Sequence, residues 1–217
     1  MTSVVDPHRD APVTHLGPPV TAARAVVILL HGRNAAPPNI LELAPRFDVA
    51  DVAYLAPAAA ARAWYPKSFL VARDENEPAL SSALARVHAL VGDLAALGVP
   101  PGRVVIGGFS QGACLASEYV WRHPAPYGGL LAFSGGLIGP PGTAWTRTDG
   151  ASLGGMPAFL GCSDVDGHVP KWRVEESAEA LRAIGADVTL RLYPGMGHLV
   201  NDDEIELARD VIRRAGA

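Results

Sequence analysis

The stretch RVVIGGFSQGACLA (103–116) decides how the rest of the chain is read. It passes from β-branched apolar residues through a glycine-dense corner into small helix formers, which predicts strand, sharp turn and helix. Gly108, Ser110 and Gly112 meet the pattern G-x-S-x-G on that corner. A side chain presented on so tight a turn sits on a strained backbone, and residues two away on either side must be nearly bare. The helix that follows aims its free N–H groups and positive dipole end at the same spot. A glycine-rich turn with an incidental serine explains an isolated G-x-S-x-G equally well. The strand before it and the helix after it are the context the catalytic motif requires. A dinucleotide loop is excluded, because Phe109 and Ser110 break G-x-G-x-x-G and no acid ends LLAFSGG (130–136).

Working outward, the same alternation recurs. AVVILLHG (25–32) is a continuous apolar run, as expected for a strand buried on both faces. Further strands are expected at 51–57, 103–109, 128–135, 156–163 and 187–194, with a weak edge hairpin near 15–20. The segment 77–98 places Leu80, Leu84, Val87, Val91, Leu94 and Leu97 on one helical stripe, stopped by Gly98 and Pro100. In 171–185, Val174, Ala178 and Leu181 face inward and Gly185 caps the end. The segment 202–214 begins acidic and ends basic, as the helix dipole prefers. Strands alternating with helices imply an α/β fold, a mostly parallel sheet with helices on both faces. The glycine- and proline-rich segment 136–155 is expected as a long surface loop within one domain spanning 1–217, with 1–22 a partly ordered arm.

Composition narrows the function. At 217 residues with 49% hydrophobic and 18% charged, the chain can bury a core without disulfide or metal. A net charge of −4, with Lys67 and Lys171 the only lysines, gives no footprint for nucleic acid. Cys114 and Cys162 form no C-x-x-C pair. No secretory signal or 18-residue apolar run is visible, so a cytoplasmic protein without a membrane span is expected.

A serine hydroxyl needs a base, and seven histidines compete. His8 and His15 fall in a polar N-terminal arm, and His88 and His123 on or beside helix surfaces. His31 closes a strand, and His168 lies in the loop after the strand at 156–163. In folds that present a serine this way, the partners follow in the order serine, acid, histidine, the histidine after the last strand. His198, flanked by Gly195 and Gly197, fits that place. The acid then comes from GCSDVDGHVP (161–170). Asp164 and Asp166 could open a calcium loop, but Val169 stands where such a loop needs glycine, so no metal is expected. Asp164 is expected to cap the turn and Asp166 to orient His198. Oxyanion donors are expected from the N–H of Gln111 and that of Arg33, after the first strong strand.

Together, LLHGR (29–33), WYP (64–66), GGFSQGA (107–113), DVDGHVP (164–170) and YPGMGH (193–198) resemble the phospholipase/carboxylesterase family of small serine esterases, which includes acyl-protein thioesterases. The resemblance implies an α/β-hydrolase fold without a large cap domain, hydrolysing carboxylic esters with no cofactor. In that family two residues separate the acid from V-P, as they separate Asp166 from Val169. HGRNA (31–35) departs from the family's H-G-x-G-D: Asn34 replaces a glycine, and the Arg33 side chain is placed beside the scissile bond, favouring substrates with a negative group. Trp64 and Phe69 are expected to wall the substrate pocket. The expected activity is hydrolysis of short to medium acyl esters, substrate a small-molecule ester, protein a monomer or homodimer. The alternatives are a thioesterase or lysophospholipase for longer chains and, more remotely, a silent binding module.

Overall fold

The structure is a computed structural model, and it describes residues 6–216. The first five residues of the expected N-terminal arm lie outside that range. Seven strands build one sheet: β1 (Val13–Leu16), β2 (Ala25–Leu30), β3 (Val52–Pro57), β4 (Val104–Phe109), β5 (Gly129–Phe133), β6 (Pro157–Ser163) and β7 (Asp187–Tyr193). Their order is β1-β3-β2-β4-β5-β6-β7. β1 runs antiparallel to β3, and every other neighbouring pair is parallel. The expected edge hairpin is therefore a single edge strand, Val13 to Leu16 pairing with Pro57 to Tyr54. Its antiparallel partner is β3.

Six helices cover the sheet: α1 (Pro37–Leu41), α2 (Leu43–Phe47), α3 (Ala79–Ala96), α4 (Gln111–Arg122), α5 (Lys171–Ala183) and α6 (Asp202–Arg214). Alternation along β2 divides the interior. Val26, Ile28 and Leu30 face a core shared with α3, α4 and α5, whereas Ala25, Val27 and Leu29 face one shared with α1, α2 and α6. All six residues are fully buried, the valine, isoleucine and leucine side chains each contributing roughly 1.5–3 kcal/mol through lost apolar exposure. β7 lies at the edge, with Asp187 and Arg191 exposed. No helix among the described residues is long and apolar enough to cross a membrane.

Two local expectations are corrected. Leu97, expected inward, is 57% exposed, because it stands past the end of α3 as its C-cap. The segment 136–155 is not a surface loop throughout: Leu137, Ile138 and Leu153 are fully buried. Buried Arg173 donates to the carbonyls of Leu137 (2.9 Å) and Gly139 (2.8 Å), holding the start of that segment against α5. The short helices α1 and α2 escaped the sequence reading, although Pro at the first helical turn and the spacing of Ile40, Ala44 and Phe47 mark them.

Candidate active site

Ser110 joins β4 to α4 with φ 55° and ψ −119°, a conformation that costs a non-glycine residue on the order of 1–3 kcal/mol. Its N–H donates to Phe133 O (2.9 Å), and its carbonyl accepts from Cys114 N–H (3.0 Å), so both ends of the corner are pinned. Gly108 and Gly112 are needed for close approach, since neither has positive φ. A Cβ on Gly108 would lie 2.6 Å from Leu30 O, and one on Gly112 would collide with the same carbonyl. The end of β2 thus passes directly under the corner.

The loop from β7 to α6 carries His198. Gly195 turns there with φ 64°, and its N–H donates to Asp164 Oδ1 at 2.8 Å. Asp166 meets the imidazole itself: its Oδ2 lies 2.7 Å from His198 Nδ1. Asp166 Oδ1 accepts N–H bonds from His168 (2.8 Å) and Val169 (3.0 Å). Burial opposes charge on this carboxyl, but the bonds from His198, His168 and Val169 outweigh it and hold the group below its usual range. An ionised acceptor at Nδ1 fixes the tautomer with Nε2 free to take a proton. The His198 ring centroid lies 4.7 Å from that of Phe109 and 4.8 Å from that of His168.

Ser110 and His198 line one cavity of about 520 Å³, together with Arg33, Gln111 and Phe69. The serine hydroxyl does not cap α4, and no hydrogen bond to His198 is formed. Such contacts are often long before substrate closes the site. The N–H groups of Arg33 and Gln111 find no backbone acceptor among the described residues. Arg33 also lines this cavity, its guanidinium held by the carbonyls of Pro66 (2.8 Å) and Lys67 (2.7 Å). Asn34 adopts φ 63°, a left-handed conformation that asparagine tolerates better than most residues, which accounts for its standing in place of glycine.

Trp64 corrects an expectation. It is fully buried behind the cavity wall, its indole N–H donating to His31 O at 2.8 Å; Tyr65, Pro66 and Phe69 form the surface instead. His8 is corrected as well. Expected in a polar arm, it is 1% exposed, with Nε2 3.0 Å from Trp64 O and Nδ1 accepting from Ala60 N–H at 3.0 Å. His31 is buried likewise, Nε2 accepting from Ala59 N–H (3.0 Å) and Nδ1 facing Gly32 O (2.8 Å). Burial pushes the pKa of both His8 and His31 down, so they serve as neutral scaffold groups. The sequence reading also missed the Gln111 side chain, whose Oε1 accepts from Trp64 N–H (3.0 Å) and whose Nε2 donates to Tyr65 O (2.7 Å). A polar residue directly after Ser110, opposite a W-Y pair, was its only signal.

A seven-stranded sheet with one antiparallel edge, a serine on a strained strand-to-helix corner and no large cap define an α/β-hydrolase fold. A family model described as Phospholipase/Carboxylesterase matches residues 15–215, and the chain belongs to that family. The solved structure of a phospholipase/carboxylesterase from Dyadobacter fermentans is similar, with TM-score 0.90 and 36% identity, covering 97% of this chain and 100% of that one. A probable carboxylesterase of Oryza sativa subsp. japonica is 29% identical over 156 residues, 70% of this chain and 65% of its own length. An acyl-protein thioesterase 1 of Gibberella zeae is 28% identical over 142 residues, 65% of this chain and 60% of its own length. These two matches thus span less than two thirds of the curated relatives.

Proposed function

We propose that the protein hydrolyses carboxylic esters of short to medium acyl chains through an acyl-enzyme. Ser110 Oγ attacks the ester carbonyl as His198 Nε2 takes its proton, forming the new C–O bond and a tetrahedral oxyanion. Asp166 keeps His198 in the required tautomer and stabilises the imidazolium. The N–H groups of Arg33 and Gln111 receive the oxyanion, where one donor is typically worth about 10²–10³ in rate. On collapse, His198 gives its proton to the leaving alcohol. It then activates the water that releases the acid and regenerates Ser110.

The observation that carries this reading is the strained Ser110 corner opening into the same cavity as an imidazole held by a buried carboxylate at 2.7 Å. The test is Ser110→Ala, which is expected to abolish p-nitrophenyl acetate hydrolysis and fluorophosphonate labelling with the circular dichroism spectrum unchanged. Retention of more than a few per cent of activity overturns the assignment. Similarity to an acyl-protein thioesterase favours a second reading, hydrolysis of long-chain thioesters. An optimum beyond about ten carbons in a p-nitrophenyl ester series would select it.

A further inference from the structure

Two cavities meet at His198. The first, about 520 Å³, holds Ser110 and the two oxyanion donors. The second, about 280 Å³, touches His198 but neither Ser110 nor Gln111. Gly32, Ala35, Phe109 and His198 line both, so the two spaces adjoin across these residues. A bound ester has its carbonyl carbon against Ser110 and its oxygen at the N–H donors. Its leaving oxygen must face His198, which protonates it. The alcohol half therefore extends into the second cavity, and the acyl half remains in the first.

The two spaces differ in chemistry. No Asp or Glu lines the first, whereas Arg33, Lys67 and His168 do. Lys67 is paired with Glu75 at 2.8 Å. Arg33 is fixed by two neutral carbonyls and pairs with no carboxylate among the described residues. One exposed, unmatched cation at the cleft, beside the positive end of α4, matches one negative charge. This local sign opposes the chain's net −4. The second cavity is walled by Ile40, Leu43, Leu199 and Val200. Its one formal charge, Arg46, is engaged by Asp202 at 2.9 Å.

From this juxtaposition we infer that the substrate is a half-ester of a small dicarboxylic acid with an apolar alcohol: the free carboxylate lies toward Arg33 in the larger cavity, and the alkyl group lies in the groove between α1, α2 and residues 199–200. The inference rests on the roles of Ser110 and His198 proposed above.

The experiment compares kcat/KM for monobutyl glutarate, monomethyl glutarate and butyl pentanoate, which replaces the carboxylate by a methyl group. The purified protein is expected to prefer monobutyl glutarate to each of the others by about tenfold or more, with the carboxylate preference shrinking as salt rises. Arg33→Met should bring the carboxylate ratio within about twofold while the butyl-to-methyl ratio persists, and Arg33→Lys should restore part of it, because charge without the fork geometry is retained. Leu199→Asn should do the reverse, lowering the butyl-to-methyl ratio alone. Equal rates on all three esters, or a carboxylate preference that survives Arg33→Met, overturn the inference. If instead Ser110→Ala retained activity on these esters, the functional reading itself would fall.

Discussion

The side chain of Gln111 accepts the backbone N–H of Trp64 at 3.0 Å, joining the helix that follows Ser110 to the loop that walls the larger cavity. The same amide donates to Tyr65 O, so both of its polar ends are spent on that loop. Gln111→Ala leaves a buried N–H and a buried C=O without partners, at roughly 1–3 kcal/mol each. A fall in Tm of several degrees is expected by calorimetry, with KM rising as the loop loosens. An unchanged Tm would show that the loop is held by other contacts.

The two acids of the 161–170 segment have different partners, and this separates them in kinetics. Asp166→Asn keeps an oxygen for the His168 and Val169 N–H groups but turns an amide donor toward His198, imposing the wrong tautomer. A loss in kcat of up to about 10⁴ is expected. Asp164→Asn keeps an acceptor for Gly195 N–H, and less than about tenfold should be lost. The reverse ranking in steady-state assays would reassign the acid.

Gly32 lines both cavities, and a Cβ there would make only ordinary contact, 3.5 Å from the Phe109 ring and 3.6 Å from Ser110 Cβ. Its φ is not positive, so Gly32→Ala is expected to fold with an unchanged or slightly higher Tm. The methyl group would project beside the reacting carbonyl and lower kcat/KM by about ten- to a hundredfold. Equal activity would place the ester elsewhere.

Glu204 is fully buried three residues after the α6 N-cap. Its Oε1 is unpartnered, and its Oε2 accepts Asn201 N–H at 2.9 Å. Burial raises its pKa to about 7 from 4.5. The folded state then binds more protons than the unfolded one between those values, so stability falls as pH rises across that window. Glu204→Gln keeps the capping geometry without the charge. Its Tm should exceed that of the parent at pH 8 by several degrees more than at pH 5; a difference independent of pH would show that Glu204 ionises without cost.

The sheet was legible because five of its strands are unbroken apolar runs between turn residues, a pattern that hydrophobic periodicity reports directly. The serine corner was legible for a steric reason: Gly108 and Gly112 stand where the Leu30 carbonyl leaves no room. Contacts distant in sequence were hidden. Nothing around His8 announces that it fills a niche under Trp64, and Arg173 reads as one more helix-surface charge until the carbonyls of Leu137 and Gly139 close on it. Trp64 was misplaced because an aromatic near a pocket and one behind it look alike in one dimension.

The burial of His8 ties the amino-terminal segment to the wall of the larger cavity. Through Trp64, and from Trp64 to Gln111, a disturbance at His8 has two hydrogen bonds to cross before it meets the residue beside Ser110. Proteolytic trimming past residue 8, or a bulky fusion that pulls this segment out of its niche, should therefore register as weakened ester turnover before it registers as unfolding.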